Sequence, residues 1–429
     1  MTARTTRFRA ALALGAGALA LAACAPSADT GDGGGDGDTT LTVWSWRVED
    51  KAAYEKIFDA YEQSHPGVTV EFKPFKATEY NKILATGLAG SDGPDVPQVR
   101  SYGGLQTTVA SGALMPLDDA VDLSAWDEGI VAGARGKEDG KLYSVPLARQ
   151  ATVLFYDKAL FAEHGVDVPT TWDEFIAANE AFLAKDITPL AVGAKDDWTL
   201  PIVHEVLAAP RFGGSQFQDA VASGETDFTD PDWVASVDVL GDLEKYMPKS
   251  VTGVAVTDAM TLFSSGQAAM YPGGSFDLAT LQTANPEMDL GVFQVPPPPG
   301  SPSGSDATTA AWADGNFAVN AASPDKEAAT ELVTWMATPE FGQMVADEIK
   351  QISAVPGVTY SDPVLAQVAA DLDDRGSSYL LLTDFRYGSP SGTDLLGKGV
   401  QELFLGSKTA EQVSAELDKG VKTWFQPAS

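Results

Sequence analysis

Several short stretches set an aromatic ring beside a hydrogen-bonding side chain at the end of an apolar, strand-like run. Trp46 and Arg47 follow Leu41-Thr42-Val43-Trp44, and Arg100-Ser101-Tyr102 closely follow Asp95-Val96. Arg149-Gln150 follow the run 142–145, Asp197-Trp198 follow 188–192, and Phe276 follows 268–271. Trp312 and Asp314 stand just before a further run at 316–319. In open α/β sheets, ligands bind outside the carboxyl ends of the strands. An aromatic face matches the C–H face of a pyranose ring. Asp, Arg and Gln offer fixed partners for hydroxyls, and an unpaired one would cost about 1–3 kcal/mol. The pattern therefore suits a neutral polyhydroxyl ligand.

Signatures of bond-breaking chemistry are missing. The chain has no His-Glu-x-x-His, no Gly-x-Ser-x-Gly, no Walker A loop and no dinucleotide glycine fingerprint. His65, His164 and His204 have no metal-ligand spacing and read as surface or helix-end residues. Asp371-Leu372-Asp373-Asp374-Arg375-Gly376 imitates a calcium loop, but Arg375 takes a ligand position and Leu382 replaces the closing glutamate. Neither a metal nor a cofactor is expected, and no catalytic residue is assigned. Carboxylates are abundant, so a glycosidase-like acid pair stays open as an alternative.

Length and composition set the frame. The 429 residues suffice for two or three domains. Hydrophobic residues make up 44% and charged residues 21%, which is ordinary for a globular protein. The net charge of −32 argues against nucleic acid or an anionic membrane surface as the main partner, since both need Lys/Arg patches. Arg4, Arg7 and Arg9 precede an apolar run at 10–23, too short for a spanning helix and long enough for a signal peptide. That run ends Leu21-Ala22-Ala23-Cys24, similar to a bacterial lipobox, so Cys24 is the expected lipidation site and 1–23 the signal peptide. Cys24 is the single cysteine, so no internal disulfide forms. Residues 24–39, rich in Gly and Asp, have almost nothing to bury and read as a flexible tether.

The elements that must position the strand-end residues follow in order. Tyr54, Ile57, Phe58 and Tyr61 sit at i, i+3, i+4 and i+7, the inward stripe of a helix. The run 68–72 alternates like a strand, and 78–88 again has helical spacing. This β-α-β-α-β order implies a parallel sheet with helices on both faces. At the centre, 142–145 reads as a strand stopped by Pro146, 151–156 as a buried strand, and Leu147-Ala148-Arg149-Gln150 as the passage between two sheets. Thr171 and Glu174 form a capping-box signature at the start of a helix.

With these residues in place, the chain resembles the extracellular solute-binding proteins of ABC sugar importers, the maltose-binding-protein-like group. The resemblance is carried by His65-Pro66-Gly67-Val68, Gly93-Pro94-Asp95-Val96, Tyr143-Ser144-Val145-Pro146 and Phe155-Tyr156-Asp157-Lys158. It continues in Pro169-Thr170-Thr171-Trp172-Asp173-Glu174-Phe175, in Phe263-Ser264-Ser265-Gly266-Gln267-Ala268-Ala269-Met270 and in Ser323-Pro324-Asp325-Lys326-Glu327-Ala328-Ala329. It implies an α/β, periplasmic-binding-protein-like fold: two lobes with discontinuous, parallel-type sheets joined by crossover strands. The expected lobes are 40–148 plus 275–338 and 151–270 plus 342–429, with hinges near 148–151, 271–274 and 338–342.

Family contacts map onto Trp46, Arg47, Arg100, Tyr102, Arg149, Gln150 and Phe276, with Asp197, Trp198 and Arg386 or Asp394 in the remaining loops. Trp312 and Asp314 join them from the residue pattern. Members closest to maltose binding often carry a tryptophan where this chain has Phe385-Arg386-Tyr387, which argues against maltodextrin. The implied role is a lipid-anchored, extracytoplasmic receptor, monomeric and non-catalytic. It would close its hinge on a carbohydrate and deliver it to membrane permease subunits. Open alternatives are a same-fold binder of a polyol, acidic sugar, phosphodiester, metal chelate or polyamine, and a secreted glycosidase.

Overall fold

The computed structural model describes residues 39–427; the leader, Cys24 and the tether lie outside the described residues. Its strands are β1 (Thr39–Ser45), β2 (Val68–Pro74), β3 (Val96–Val99), β4 (Ala148–Asp157) and β5 (Thr188–Leu190). They continue as β6 (Ala268–Gly274), β7 (Leu290–Phe293), β8 (Thr309–Asp314), β9 (Asn316–Phe317) and β10 (Gly376–Ser378).

The first sheet has the order β2-β1-β3-β9, with β1 parallel to both β2 and β3 and β9 antiparallel to β3. Leu41 and Val43 of β1 point inward and are fully buried. The helix Lys51–Ser64 covers them with Tyr54, Ile57, Phe58 and Tyr61, the stripe expected from the spacing. Asp95 ties the sheet together: its carboxylate accepts from Thr42 N at 2.8 Å and from Ser323 Oγ at 2.6 Å. Because β1 pairs on both edges, its carboxyl end and that of β3 open onto the same side, where Trp46, Arg47 and Arg100 emerge.

The second sheet has the order β10-β8-β4-β6-β5, with β7 also on β4. β4 is its spine and runs antiparallel to β6, β7 and β8. Its central residues are buried, as expected of a strand covered on both faces. Thr171 and Glu174 make the capping box: Thr171 Oγ1 accepts from Glu174 N at 3.3 Å, and Glu174 Oε2 accepts from Thr171 N at 3.2 Å.

Two expectations are corrected. Residues 142–145 make only isolated bridges, Arg135 with Leu142 and Val145 with Phe317, while β4 starts at Ala148. Arg149 and Gln150 therefore lie inside a ten-residue strand rather than in a connecting loop. The halves of the chain also divide differently. β7 and β8 hydrogen-bond to β4, so 275–314 sits with the second sheet. Phe341, Val345 and Ile349 pack in the cluster of Leu41, Val43 and Tyr54, so 339–349 sits with the first. The chain passes between the sheets at Leu147, at Gly315 and around Ile352, where Arg149 N donates to the Ile352 carbonyl at 2.9 Å. Gly315 makes its passage possible. It holds φ +73°, and a Cβ there would stand 2.9 Å from Gln98 Nε2 and 3.0 Å from Leu147 Cδ2.

Candidate binding site between the two sheets

Three residues from two strand ends of the first sheet, β1 and β3, reach the interface. Trp46 is buried against Tyr80, ring centroids 5.5 Å apart, and Arg100 lies over it with Cζ 3.7 Å from the ring centroid. Arg47 is held by Asp50, Nε to Oδ2 at 2.6 Å, and by Glu49, Nη1 to Oε1 at 3.0 Å. Its Nη2 donates to the Phe276 carbonyl at 3.2 Å, joining β1 to the segment after β6. Burial pushes the Arg47 guanidinium toward losing its proton, but Asp50 and Glu49 more than offset this and its pKa is raised.

The second sheet contributes a row of rings. Trp198, Phe276, Trp312 and Tyr379 follow one another with centroid separations of 6.5, 6.3 and 5.4 Å. Trp198 is the open end, 48% exposed, and Trp312 and Tyr379 form the buried end. Side chains alternate across a strand, so Asp314 shares a face of β8 with Trp312. It reaches the first sheet's arginine: Arg100 Nη1 and Asp314 Oδ2 are 3.7 Å apart, an ion pair beyond hydrogen-bond length. Arg386 approaches the same place. Burial lowers the Arg100 pKa, Asp314 opposes that, and Arg386 lowers it further.

The structure thus brings together Trp46, Arg47, Arg100, Trp198, Phe276, Trp312, Asp314 and Arg386. Asp197 sits half-buried beside Trp198 in the short turn Asp197–Thr199. Tyr102 is near but committed. Its hydroxyl donates to the Gly129 carbonyl at 2.9 Å and accepts from Ala313 N at 3.0 Å, a bolt between the sheets. The ring stays buried although Tyr102 holds φ 52°, a value rare for a residue with a side chain.

Arg149 and Gln150 do not act as a pair. They are neighbours on β4 and so point to opposite faces. Arg149 is taken up by Asp373 at 3.2 Å and by the Leu372 carbonyl at 3.4 Å, away from the rings. Gln150 is paired with Trp312 across the ladder and is 4% exposed. It accepts from Ser275 Oγ and donates to Gln351 Oε1, both at 2.8 Å. That chain spans three segments, so Gln150 holds the floor of the site together.

Two residues escaped the sequence reading. Glu205 lies in the helix Leu200–Phe212, near enough to Tyr379 to act on its hydroxyl. It is 5% exposed, and burial pushes its carboxyl up to about 8. An isolated acid inside Pro201-Ile202-Val203-His204-Glu205-Val206-Leu207 was the available signal. Tyr379 had none. Its hydroxyl is buried without a hydrogen-bond partner among the described residues, and its pKa is raised well above the usual value by burial and then by Glu205. His204, expected near a surface or helix end, is instead fully buried. It bonds Ser236 Oγ at 2.8 Å and packs 5.0 Å from Trp233.

Residues 44–343 match the family described as bacterial extracellular solute-binding protein. The multiple sugar-binding protein of Streptococcus mutans is 26% identical over 327 residues, 73% of this chain and 74% of that one. The mannitol-binding protein of Pseudomonas aeruginosa is 24% identical over 333 residues, 74% of each chain. Among solved structures, the bacterial solute receptor AcbH superposes with a TM-score of 0.78 at 22% identity, covering 91% of this chain and 100% of that one. A structure from work on xylan utilization by Caldanaerobius polysaccharolyticus gives 0.77 at 24% identity, covering 89% and 99%. These two superpositions show a shared fold, and the relatives named for a role are a solute receptor and sugar- or mannitol-binding proteins rather than enzymes. With the family match spanning most of the described residues, the chain belongs to the bacterial extracellular solute-binding proteins.

Proposed function

We propose that this protein is the receptor subunit of an ABC importer and binds a carbohydrate between its two sheets. The observation that carries the reading is the row Trp198–Phe276–Trp312, facing Trp46, Arg100 and Asp314. Aromatic faces take the apolar faces of sugar rings, and charged side chains at the margins take hydroxyls. The names of the relatives, a multiple sugar-binding protein and a mannitol-binding protein, agree with a polyhydroxyl solute.

In this reading two lobes, one around each sheet, move about the passages at Leu147, Gly315 and Ile352. A solute that touches both lobes favours the closed state by its differential affinity for it. The receptor is a monomer held at the outer face of the cell membrane by lipid on Cys24. It hands its cargo to permease subunits and catalyses nothing itself. Calorimetry against mono- and oligosaccharides and polyols tests the ligand class, and absence of binding across the panel removes it. Cys24→Ala tests the anchor, because the protein should then leave the membrane fraction.

A further inference from the structure

The chain carries 60 acidic and 28 basic residues, yet the site leaves arginines short of acids. Arg47, Arg135, Arg149, Arg211 and Arg375 each have a carboxylate oxygen within 3.6 Å. Arg100 has Asp314 at 3.7 Å and, among the described residues, no hydrogen-bond acceptor. Arg386 is half-buried and, among the described residues, has neither ion pair nor acceptor. A guanidinium carries five N–H donors in a planar fork, so two such groups leave many donors open.

The nearest acids do not balance them. Asp314 is one carboxylate, 3.7 Å from Arg100, which is itself close enough to Arg386 to feel its charge. Glu205 is buried, and burial pushes its carboxyl up to about 8, which favours its neutral form. The Tyr379 hydroxyl, 1% exposed, is a further buried group without a partner beside Trp312. Arg100 stands on the first sheet's side, at the end of β3, whereas Arg386 follows Phe385, which packs in the second sheet's core. Closing the site brings two like charges together, which is unfavourable unless a negative charge comes between them.

We infer that the solute carries an anionic group, a carboxylate or a phosphate on a carbohydrate, clasped by Arg100 from one side and Arg386 from the other. This rests on the carbohydrate reading and narrows it from a neutral to an acidic solute. The sugar rings lie along Trp198 and Phe276, and the anion sits at the Trp46 and Trp312 end. The anion is also what favours closure, since it relieves the Arg100–Arg386 repulsion and provides two-sided, charge-assisted hydrogen bonds.

The test is fluorescence and calorimetric titration of the purified protein with matched pairs. Uronic acid mono- and oligosaccharides and sugar phosphates are compared with neutral sugars of the same ring and length. The expected result is an acidic member binding more tightly than its neutral counterpart by roughly 30-fold, the scale of one charge-assisted hydrogen bond. Arg386→Gln and, separately, Arg100→Gln should each bring that ratio close to one, because the acidic member loses more affinity than its neutral counterpart. Whether uronates or phosphates give the effect identifies the anion. Neutral sugars binding as tightly as their acidic counterparts, with Arg386→Gln silent, would overturn the anionic solute and leave the carbohydrate reading intact. No binding by any sugar of either charge would overturn both.

Discussion

A Cβ placed on Gly103 would run into the main-chain carbonyl of Arg386. Gly103 is the first residue of the helix Gly103–Ala110, directly after the Arg100-Ser101-Tyr102 strand end. Arg386 follows Phe385, a buried residue of the cluster on the second sheet. The two backbones meet because one of them has no side chain. Arg47 and the Phe276 carbonyl make a second contact across the same gap. The described chain is accordingly one unit rather than two separated halves.

Gly103→Ala should therefore act as a doorstop. The added methyl is harmless when the lobes stand apart, and Ala is a better helix residue than Gly by about 0.5–1 kcal/mol. Melting of the ligand-free protein should stay within about 1 kcal/mol of the parent. Carbohydrate affinity should fall at least roughly tenfold, about 1.4 kcal/mol. Small-angle scattering at saturating solute should show a larger radius than the parent. A variant that binds and closes normally would mean that this contact does not form on closure.

Gln150 shows how far the residue pattern reached and where it stopped. Aromatic and polar residues at strand ends do converge, because strand ends in such sheets share one side and that rule is local. Strand parity stays hidden as long as Arg149-Gln150 reads as a loop, where alternation does not apply. Once β4 runs unbroken from Ala148, one of the pair must turn away, and Asp373 takes Arg149. Which segments share a sheet is hidden for a related reason. Pairing of β7 and β8 with β4 is long-range and leaves no mark in local periodicity, although Gly315 between Asp314 and Asn316 did mark a passage. The inward helical stripes and the capping box were legible because they depend on neighbours three and four residues apart.

The consequence for Gln150→Ala is a loss of stability more than of binding. Removing the amide leaves the Ser275 hydroxyl with no acceptor for its proton, although its Oγ still accepts from Ala151 N, and strands Gln351 Oε1 in a buried setting. Each orphaned group costs about 1–3 kcal/mol, so the ligand-free protein should lose roughly 2–4 kcal/mol. Chemical denaturation measures it. An unchanged midpoint would return Gln150 to the role of a solute contact.

His204 and Glu205 are adjacent, buried and oppositely shifted, which shapes the pH profile. Burial lowers His204 from 6.5 to about 3, so between these values the unfolded chain holds a proton that the folded one refuses. Stability then falls as pH drops below 6.5. Burial raises Glu205 from 4.5 to about 8, so between these values the folded chain keeps a proton that the unfolded one has lost. Stability then falls as pH rises above 4.5. Each slope is about 1.4 kcal/mol per pH unit. From 4.5 to 6.5 the two oppose and cancel; below it only His204 acts and above it only Glu205. Glu205→Gln should flatten the alkaline limb and His204→Asn the acid limb, in denaturant melts at pH 4, 5.5, 7 and 8. A variant curve parallel to the parent's throughout would exclude that residue as the cause.

Trp198 and Trp312 belong to one row of rings but differ in exposure, 48% against 3%, and this separates binding from folding. Trp198→Ala removes a ring that is half in solvent, so ligand-free stability should move by no more than about 0.5 kcal/mol. The same change takes away a stacking face for the solute, worth roughly 1.5–3 kcal/mol or 10- to 150-fold in affinity. Trp198→Phe should keep most of that affinity, since the face remains. Trp312→Ala instead opens a cavity between Phe276 and Tyr379 and should cost about 3–5 kcal/mol in stability. Calorimetry for affinity and melts for stability read the two effects independently. Should Trp198→Ala bind the solute as well as the parent does, the exposed end of the row lies outside the site, and the sugar must seat deeper, between Phe276 and Trp46.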